Sequence, residues 1–394
     1  MKAAGPTGPQ HSPQRKPYPD GWQPRMEVDD TDGGFVVSKP APVGQNGSDS
    51  AAVLTEFGLD PAQWSVEHVR RSRWQRWDGE WLEAVRLSIL PARTAQASRV
   101  DLNALVRDIA KFRPKTIARD SNHGDSNHGD SNYGSFVAPL GDTQVGKIDG
   151  GGTAAAIPRI LTEIEHGYAR WRQLDRRHHF AQVILPQLGD CIEGTVSQGG
   201  AVVGRTDLGL TEMVRVYRRL LWAQVRAYAH APRVLVPVVP GNHDEVTRNP
   251  MTTCTDSWAI EAASAVQDAV QENPDLADRV RFVFPEYDEL TVTIDASGTI
   301  LGMAHGHQFG RDPLRWWSEQ AGGRSPVGDA DVLLSAHFHH LRVQDHGGRR
   351  LWVQVPALDG GSSWFRHRHG QDSPSRAVTF WTADGRVYDL DPVL

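Results

Sequence analysis

Val234-Leu-Val-Pro-Val-Val-Pro-Gly-Asn-His-Asp-Glu245 passes from apolar to reactive within one short stretch. The run Val234 to Val239 reads as a strand, and Pro240-Gly241 reads as the turn that ends it. Asn242 then offers an amide oxygen, His243 an imidazole and Asp244 a carboxylate. Pro237 counts against a central place in a ladder, because it has no N–H to donate. Open α/β sheets present their sites at the carboxyl ends of strands. Four more apolar runs end the same way. Phe136 to Leu140 leads to Gly141-Asp142-Thr143-Gln144, and Val183 to Leu185 leads to Leu188-Gly189-Asp190. Ile300 to Ala304 leads to His305-Gly306-His307, and Val332 to Ser335 leads to Ala336-His337-Phe338-His339.

In this order the motifs resemble those of the calcineurin-like metallophosphoesterases: Asp-x-His, Gly-Asp, Gly-Asn-His-Asp/Glu, a His before Gly, and Gly-His-x-His. The resemblance covers roughly residues 135–360. Gln144 stands where the family has His, and Ala336 where it usually has Gly. The resemblance implies an α/β fold, an αββα sandwich of two mixed sheets with flanking helices and the site at one edge. It also implies two divalent metal ions. Asp190 would bridge them; Asp142, Gln144 and His339 would complete the first site, and Asn242, His305 and His337 the second. By the same match His243 contacts phosphate and protonates the leaving oxygen, with Asp244 accepting its other ring proton. His337 and His339 are two apart, so an extended segment would turn both to one face. Manganese is the expected ion, with Mg²⁺, Fe or Zn²⁺ as alternatives, because an amide oxygen at Gln144 favours harder ions than imidazole does.

Two divalent ions suit phosphate-ester hydrolysis because they acidify a water, neutralise phosphoryl charge and hold the ester in line. The expected activity is that of a phosphodiesterase or nuclease acting on nucleic acid or nucleotides. The alternatives are a phosphomonoesterase on protein or small molecules, and a non-catalytic binding protein with a degenerate metal site. His307 and Trp364 are candidate substrate contacts beside His243. Trp364 sits in a Gly-rich loop, and Trp316 and Trp317 are placed to line the same mouth.

Composition sets outer bounds. A net charge of −6 gives no global basic field, so any nucleic-acid contact must be local. Two cysteines cannot build a disulfide framework, and no apolar run reaches the ~18 residues of a membrane span. The expectation is a soluble, cytoplasmic protein with no membrane partner.

Along the chain, residues 1–50 are rich in Pro, Gly, Ser and Asp and read as a disordered tail. Residues 51–118 read as a small α+β module. It has a hairpin of Val66 to Trp77 and Trp81 to Leu90 about Asp78-Gly79, and a helix Leu102 to Phe112 capped by Asp101. Arg70, Arg71, Arg73 and Arg76 interleave with Trp74 and Trp77, a pattern that suits either nucleic-acid stacking or a small core with a wet face. Residues 119–134 repeat Asp-Ser-Asn-His/Tyr-Gly and read as a linker. The metallophosphoesterase-like domain spans 135–394. It carries helices at Ala154 to Arg172, Leu208 to His230 and Ser257 to Gln271, the first opening from Gly150-Gly-Gly152, a possible anion cradle.

Overall fold

The computed structural model describes residues 25–29, 33–43, 49–91, 100–115, 133–197, 206–247, 252–310, 312–361 and 376–392. The chain divides into two compact units, Met1–Arg99 and Val100–Leu394.

The first unit is built on a long hairpin. Strands β1 (Arg25–Asp29), β2 (Gly33–Val37) and β3 (Ala41–Pro42) precede helix α1 (Ser50–Glu56) and the hairpin strands β4 (Trp64–Gln75) and β5 (Trp81–Pro91). Strand β5 is central: β4 runs along one edge, while β2 and β3 share the other. The disordered-tail expectation for 1–50 therefore fails over β1 to β3. Average composition hides Phe35-Val-Val37, whose Val36 is fully buried with Val53, Leu54, Trp64, Val85, Leu87 and Ile89. Short strands that could not hold alone are ordered on the hairpin edge. Trp64, rather than Trp74 or Trp77, supplies the aromatic core. Arg71 and Arg73 both donate to the buried Glu83 carboxylate, at 2.9 and 2.6 Å.

The second unit begins with α2 (Leu102–Lys111), capped by Asp101 as expected. The 51–118 module thus ends earlier than its composition indicated. Leu105 and Ile109, one turn apart, bury in the core of the second unit, and Arg226 donates to the carbonyls of Ala110 and Phe112 at the helix end. The elements that follow are β6 (Ser135–Val137), α3 (Gly152–His178), β7 (Gln182–Ile184), α4 (Leu210–Ala227), β8 (Val234–Pro237), α5 (Trp258–Gln271) and β9 (Val280–Val283). Then come β10 (Thr291–Asp295), β11 (Ile300–Ala304), α6 (Pro313–Gly322), β12 (Val332–Ser335), β13 (Arg342–Asp345), β14 (Leu351–Gln354), β15 (Val378–Ala383) and β16 (Arg386–Pro392).

These strands form a mixed α/β arrangement of two sheets. One has the order β16-β15-β6-β7-β8-β9, with β6 to β9 parallel; the other has β10-β11-β12-β14-β13, with β11, β12 and β14 parallel. Pro237 sits inside the first ladder and still pairs with Val283, within a four-residue strand whose next link is the bridge Gln187 to Val238. One apolar cluster draws on both sheets, joining Val137, Ile184 and Phe380 to Leu301, Leu334 and Val353. A second packs α3, α4 and α5 on the six-stranded sheet, and a third packs Trp317 of α6 with Leu333 and Trp352 of the five-stranded one. The carboxyl ends of β6, β7, β8, β11 and β12 lead into the five motifs. The linker 119–134 lies almost wholly outside the described residues.

Candidate metal centre

Parallel pairing continues past the strand ends and brings the motif loops side by side. Bridges join Leu140 to Gln187, Gln187 to Val238 and Val145 to Ile192. Between them Asp142 N–H donates to the Gly189 carbonyl at 3.1 Å, and Gln144 N–H to the Asp190 carbonyl at 3.0 Å. Five candidate ligands turn in the left-handed region: Asp142, Gln144, Asp190, His337 and His339, with φ of 48, 36, 49, 70 and 60°. This corrects the expected extended geometry of His337 and His339. Such backbone costs on the order of 1–3 kcal/mol per residue and persists where the surroundings over-determine it.

Asp190 is the centre. Its Oδ1 accepts the His243 N–H at 2.7 Å, and its Oδ2 lies 3.1 Å from His305 Nε2 and 3.9 Å from His243 Nε2. His305 Nδ1 meets the Leu188 carbonyl at 2.7 Å. A carbonyl only accepts, so Nδ1 carries the proton and Nε2 is the nitrogen offered to the site. His337 Nδ1 is 3.2 Å from His305 Nε2. The ligand atoms of Asp190, His305 and His337 all lie within 4.8 Å of one another; half-buried Asn242 follows Gly241, whose backbone packs against Asp190. Buried carboxylate and imidazole donors converging in this way fit a divalent ion.

The other half of the expected ligand set differs. Asp142 Oδ2 accepts the His337 N–H at 2.9 Å. Its buried Oδ1 accepts no hydrogen bond and lies 3.5 Å from His339 Nε2. The structure brings Gln144 to this place, but its Oε1 accepts from Lys147 Nζ at 2.9 Å. The same ammonium pairs with Asp359, whose Oδ2 lies 3.4 Å from His339 Nδ1. A set in which a lysine ammonium holds the Gln144 oxygen does not fit a four-ligand metal site.

Charge follows this geometry. Burial alone would lower the His305 pKa, but the Asp190 carboxylate overrides it and raises it to about 9. His339 behaves likewise between Asp142 and Asp359, reaching about 10. His337 goes the other way, to about 4, through burial and the charge of His305. Burial would raise the carboxyl pKa of Asp190 and of Asp359; His305 and His243 hold the first well below the usual range, and Lys147 and His339 the second.

His243 is buried, and its Nδ1 meets the Glu193 carbonyl at 2.9 Å, leaving Nε2 on the Asp190 side. The expected pairing of His243 with Asp244 is not what holds the ring. Asp244 turns back into the loop, accepting from the N–H groups of Cys191, Ile192 and Gly241 at 2.9, 3.3 and 3.0 Å. The Asp244 carboxylate is reached by its own turn through Gly241 and by the adjoining loop through Cys191 and Ile192, which leaves it no place against the ring of His243. Its carboxyl pKa is raised by burial and by Asp190.

The His307 ring lies 5.5 Å from that of His305 and lines a cavity of about 330 Å³ with Gly241, Glu245, Thr253 and Leu290. Trp317 does not reach this mouth: it is fully buried, and its Nε1 donates to the Val327 carbonyl. Trp364 lies outside the described residues. The proposed anion cradle at Gly150-Gly-Gly152 is filled from within, since Asp207 accepts the Thr153 N–H at 2.7 Å. Glu193 and Asp359 escaped the motif reading as site residues, while Lys147 was only a secondary candidate in it. For Asp359 the signal was present, an Asp before Gly360-Gly361 after another strand.

No protein-family model and no curated protein matches the chain. Among solved structures it is similar to a predicted phosphoesterase of Streptococcus pneumoniae, 11% identical with a TM-score of 0.29, over 66% of this chain and 95% of that one. Zinc-bound Vps29 of Entamoeba histolytica aligns at 15% identity and a TM-score of 0.25, over 66% of this chain and 98% of that one. A dimetal phosphatase of Danio rerio aligns at 11% and 0.32, over 63% and 93%. In its five ordered motifs, set at the ends of parallel strands, the chain resembles the calcineurin-like metallophosphoesterases.

Proposed function

We propose that this protein is a divalent-metal-dependent phosphoesterase. The observation that carries the reading is the convergence of Asp190, His305 and His337 ligand atoms within 4.8 Å, next to His243. Asp190, Asn242, His305 and His337 would hold the ion. When bound, it supplies Lewis acidity toward a phosphoryl oxygen and an acidified water. His243, fixed through Nδ1 by the Glu193 carbonyl, presents Nε2 to protonate the leaving oxygen. His307 and the cavity beside it take the group attached to phosphorus. Oxygen and imidazole donors without thiolate suit Mn²⁺, Fe or Zn²⁺ among the expected ions.

The substrate class we propose is a phosphodiester of nucleic acid or nucleotide type. Its support is in the first unit, where Trp77 and Trp81 flank the hairpin turn with 66% and 54% of their surface exposed. Base stacking needs such exposed rings. The Lys147–Gln144 contact favours a second reading, a binding protein that keeps the fold without turnover.

The test is hydrolysis by the metal-stripped chain with Mn²⁺, Mg²⁺ or Zn²⁺ restored, on bis-nitrophenyl phosphate, nitrophenyl phosphate, single-stranded DNA and a cyclic nucleotide. Metal-dependent diester cleavage that is lost in Asp190→Asn is expected. Faster monoester cleavage would shift the substrate class. Metal binding without turnover on any substrate would establish the binding-protein reading instead.

A further inference from the structure

We infer that the Lys147 ammonium replaces the first of the two metal ions, so that the centre holds one divalent ion beside a built-in cation. The inference rests on the metal-dependent reading above and sharpens it. Lys147 is only 9% exposed. Its Nζ donates to Gln144 Oε1 at 2.9 Å and to Asp359. Gln144 is also the position where the motif departs from His. A neutral His at 144 would offer a metal a ring nitrogen; an amide oxygen instead offers an acceptor to an ammonium. The substitution and the lysine are chemically matched.

The remaining groups agree. The ammonium is one link in a chain from Gln144 through Lys147 and Asp359 to His339 Nδ1, and His339 Nε2 lies 3.5 Å from Asp142 Oδ1. Of the expected first-site groups, Gln144 is thereby set against the lysine and Asp142 against His339. Among the described residues, the tight cluster of metal-ligating groups is Asp190, His305 and His337, which includes none of Gln144, Lys147 and Asp359. A second divalent ion at Gln144 would have to displace the ammonium or lie against it, and like charges at close range repel strongly in a buried site. Lysine has three donor protons. Two are committed to Gln144 and Asp359, which leaves one for a phosphoryl oxygen, the charge-neutralising role a first ion would otherwise have.

The experiment is metal counting on the full chain. It is stripped with chelator, reloaded with Mn²⁺ and desalted; bound manganese per chain is measured by elemental analysis, and the spin state by electron paramagnetic resonance. One ion per chain with the six-line spectrum of an isolated Mn²⁺ is expected. Lys147→Met should keep that one ion yet lose about 10²-fold or more in turnover, as removal of a charge-stabilising donor does. Lys147→Met combined with Gln144→His should take up a second ion, show a spin-coupled spectrum and recover part of the loss. Two ions of similar affinity in the unaltered chain would overturn the inference while leaving the phosphoesterase reading intact. No ion at all would sink both. The unaltered chain decides the matter even where a variant fails to fold.

Discussion

His305 has its chemistry set by two fixed partners. The Leu188 carbonyl holds Nδ1–H, and the Asp190 carboxylate stands 3.1 Å from Nε2. Burial lowers its pKa less than Asp190 raises it, and the outcome of about 9 means that the metal-free site carries a proton on Nε2 at neutral pH. A metal ligates only the neutral ring, so the ion must displace that proton. Binding should therefore release about one proton per ion at pH 7. Apparent affinity should rise about tenfold per pH unit until the pH passes the His305 value. Calorimetric titration with Mn²⁺ in two buffers of different ionisation enthalpy reads the proton count directly. A buffer-independent enthalpy would show that His305 is not displaced from its proton and is not a ligand.

At the scale of elements, the strands and helices were legible because their periodicity is local. Ile300 to Ala304 and Val332 to Ser335 are strands to the residue, and Asp101 stands as a helix cap where expected, while α5 is capped by Ser257, one residue past the expected Asp256. The candidate ligands were legible as a set for the same reason, each lying just past an apolar run. Their conformation was not: Asp and His enter the left-handed region more often than most residues but adopt it only in a minority of cases, and pairing of neighbouring loops is what fixes it here. Nor could motifs show that Lys147, three residues beyond Gln144, turns back onto it, or that the Glu193 carbonyl takes the place expected for Asp244. Those are contacts across loops, settled by packing. Gly241 shows how close that packing is. A Cβ there would meet both N and Oδ1 of Asp190 at 2.1 Å. Gly241→Ala should push the Asp190 carboxylate off its position. The expected result is a stability loss on the order of 1–3 kcal/mol, and weakening of Mn²⁺ binding by tenfold or more. Thermal melts and metal titration check the two parts separately; a variant with unchanged metal affinity would mean that the loop relaxes without moving Asp190.

At the scale of the molecule, the two units pose separable questions. In the first, Arg71 and Arg73 are tied to Glu83 and Arg76 to Asp78 and Glu80, and among the described residues the exposed Trp77 and Trp81 are the distinctive feature. If they stack bases, Trp77→Ala with Trp81→Ala should cost about 1–3 kcal/mol per lost stack in single-stranded DNA affinity, with little change in the salt slope. Fluorescence titration at two salt concentrations measures both, and full-strength binding by the double variant would move the substrate question to the second unit alone. In that unit the buried charges make stability depend on pH from both sides. Unfolded histidine titrates near ~6.5. Folded His305 and His339 keep their protons to about 9 and about 10, so their contribution is whole below ~6.5 and is lost as pH rises through those values. His337 is opposite: its folded pKa of about 4 makes stability fall as pH drops from ~6.5 toward it, and the depressed Asp190 and Asp359 add to the acid loss further down. The metal-free chain should therefore melt highest near neutral pH and lose several degrees by pH 9 to 10. One bound ion replaces the proton of His305 but leaves His339 paired with Asp142 and Asp359. Loading with Mn²⁺ should thus raise the melting temperature and flatten the first part of the alkaline fall, while the part belonging to His339 persists. An alkaline limb abolished entirely by manganese would mean that His339 also gives up its proton to metal, and that two ions bind after all.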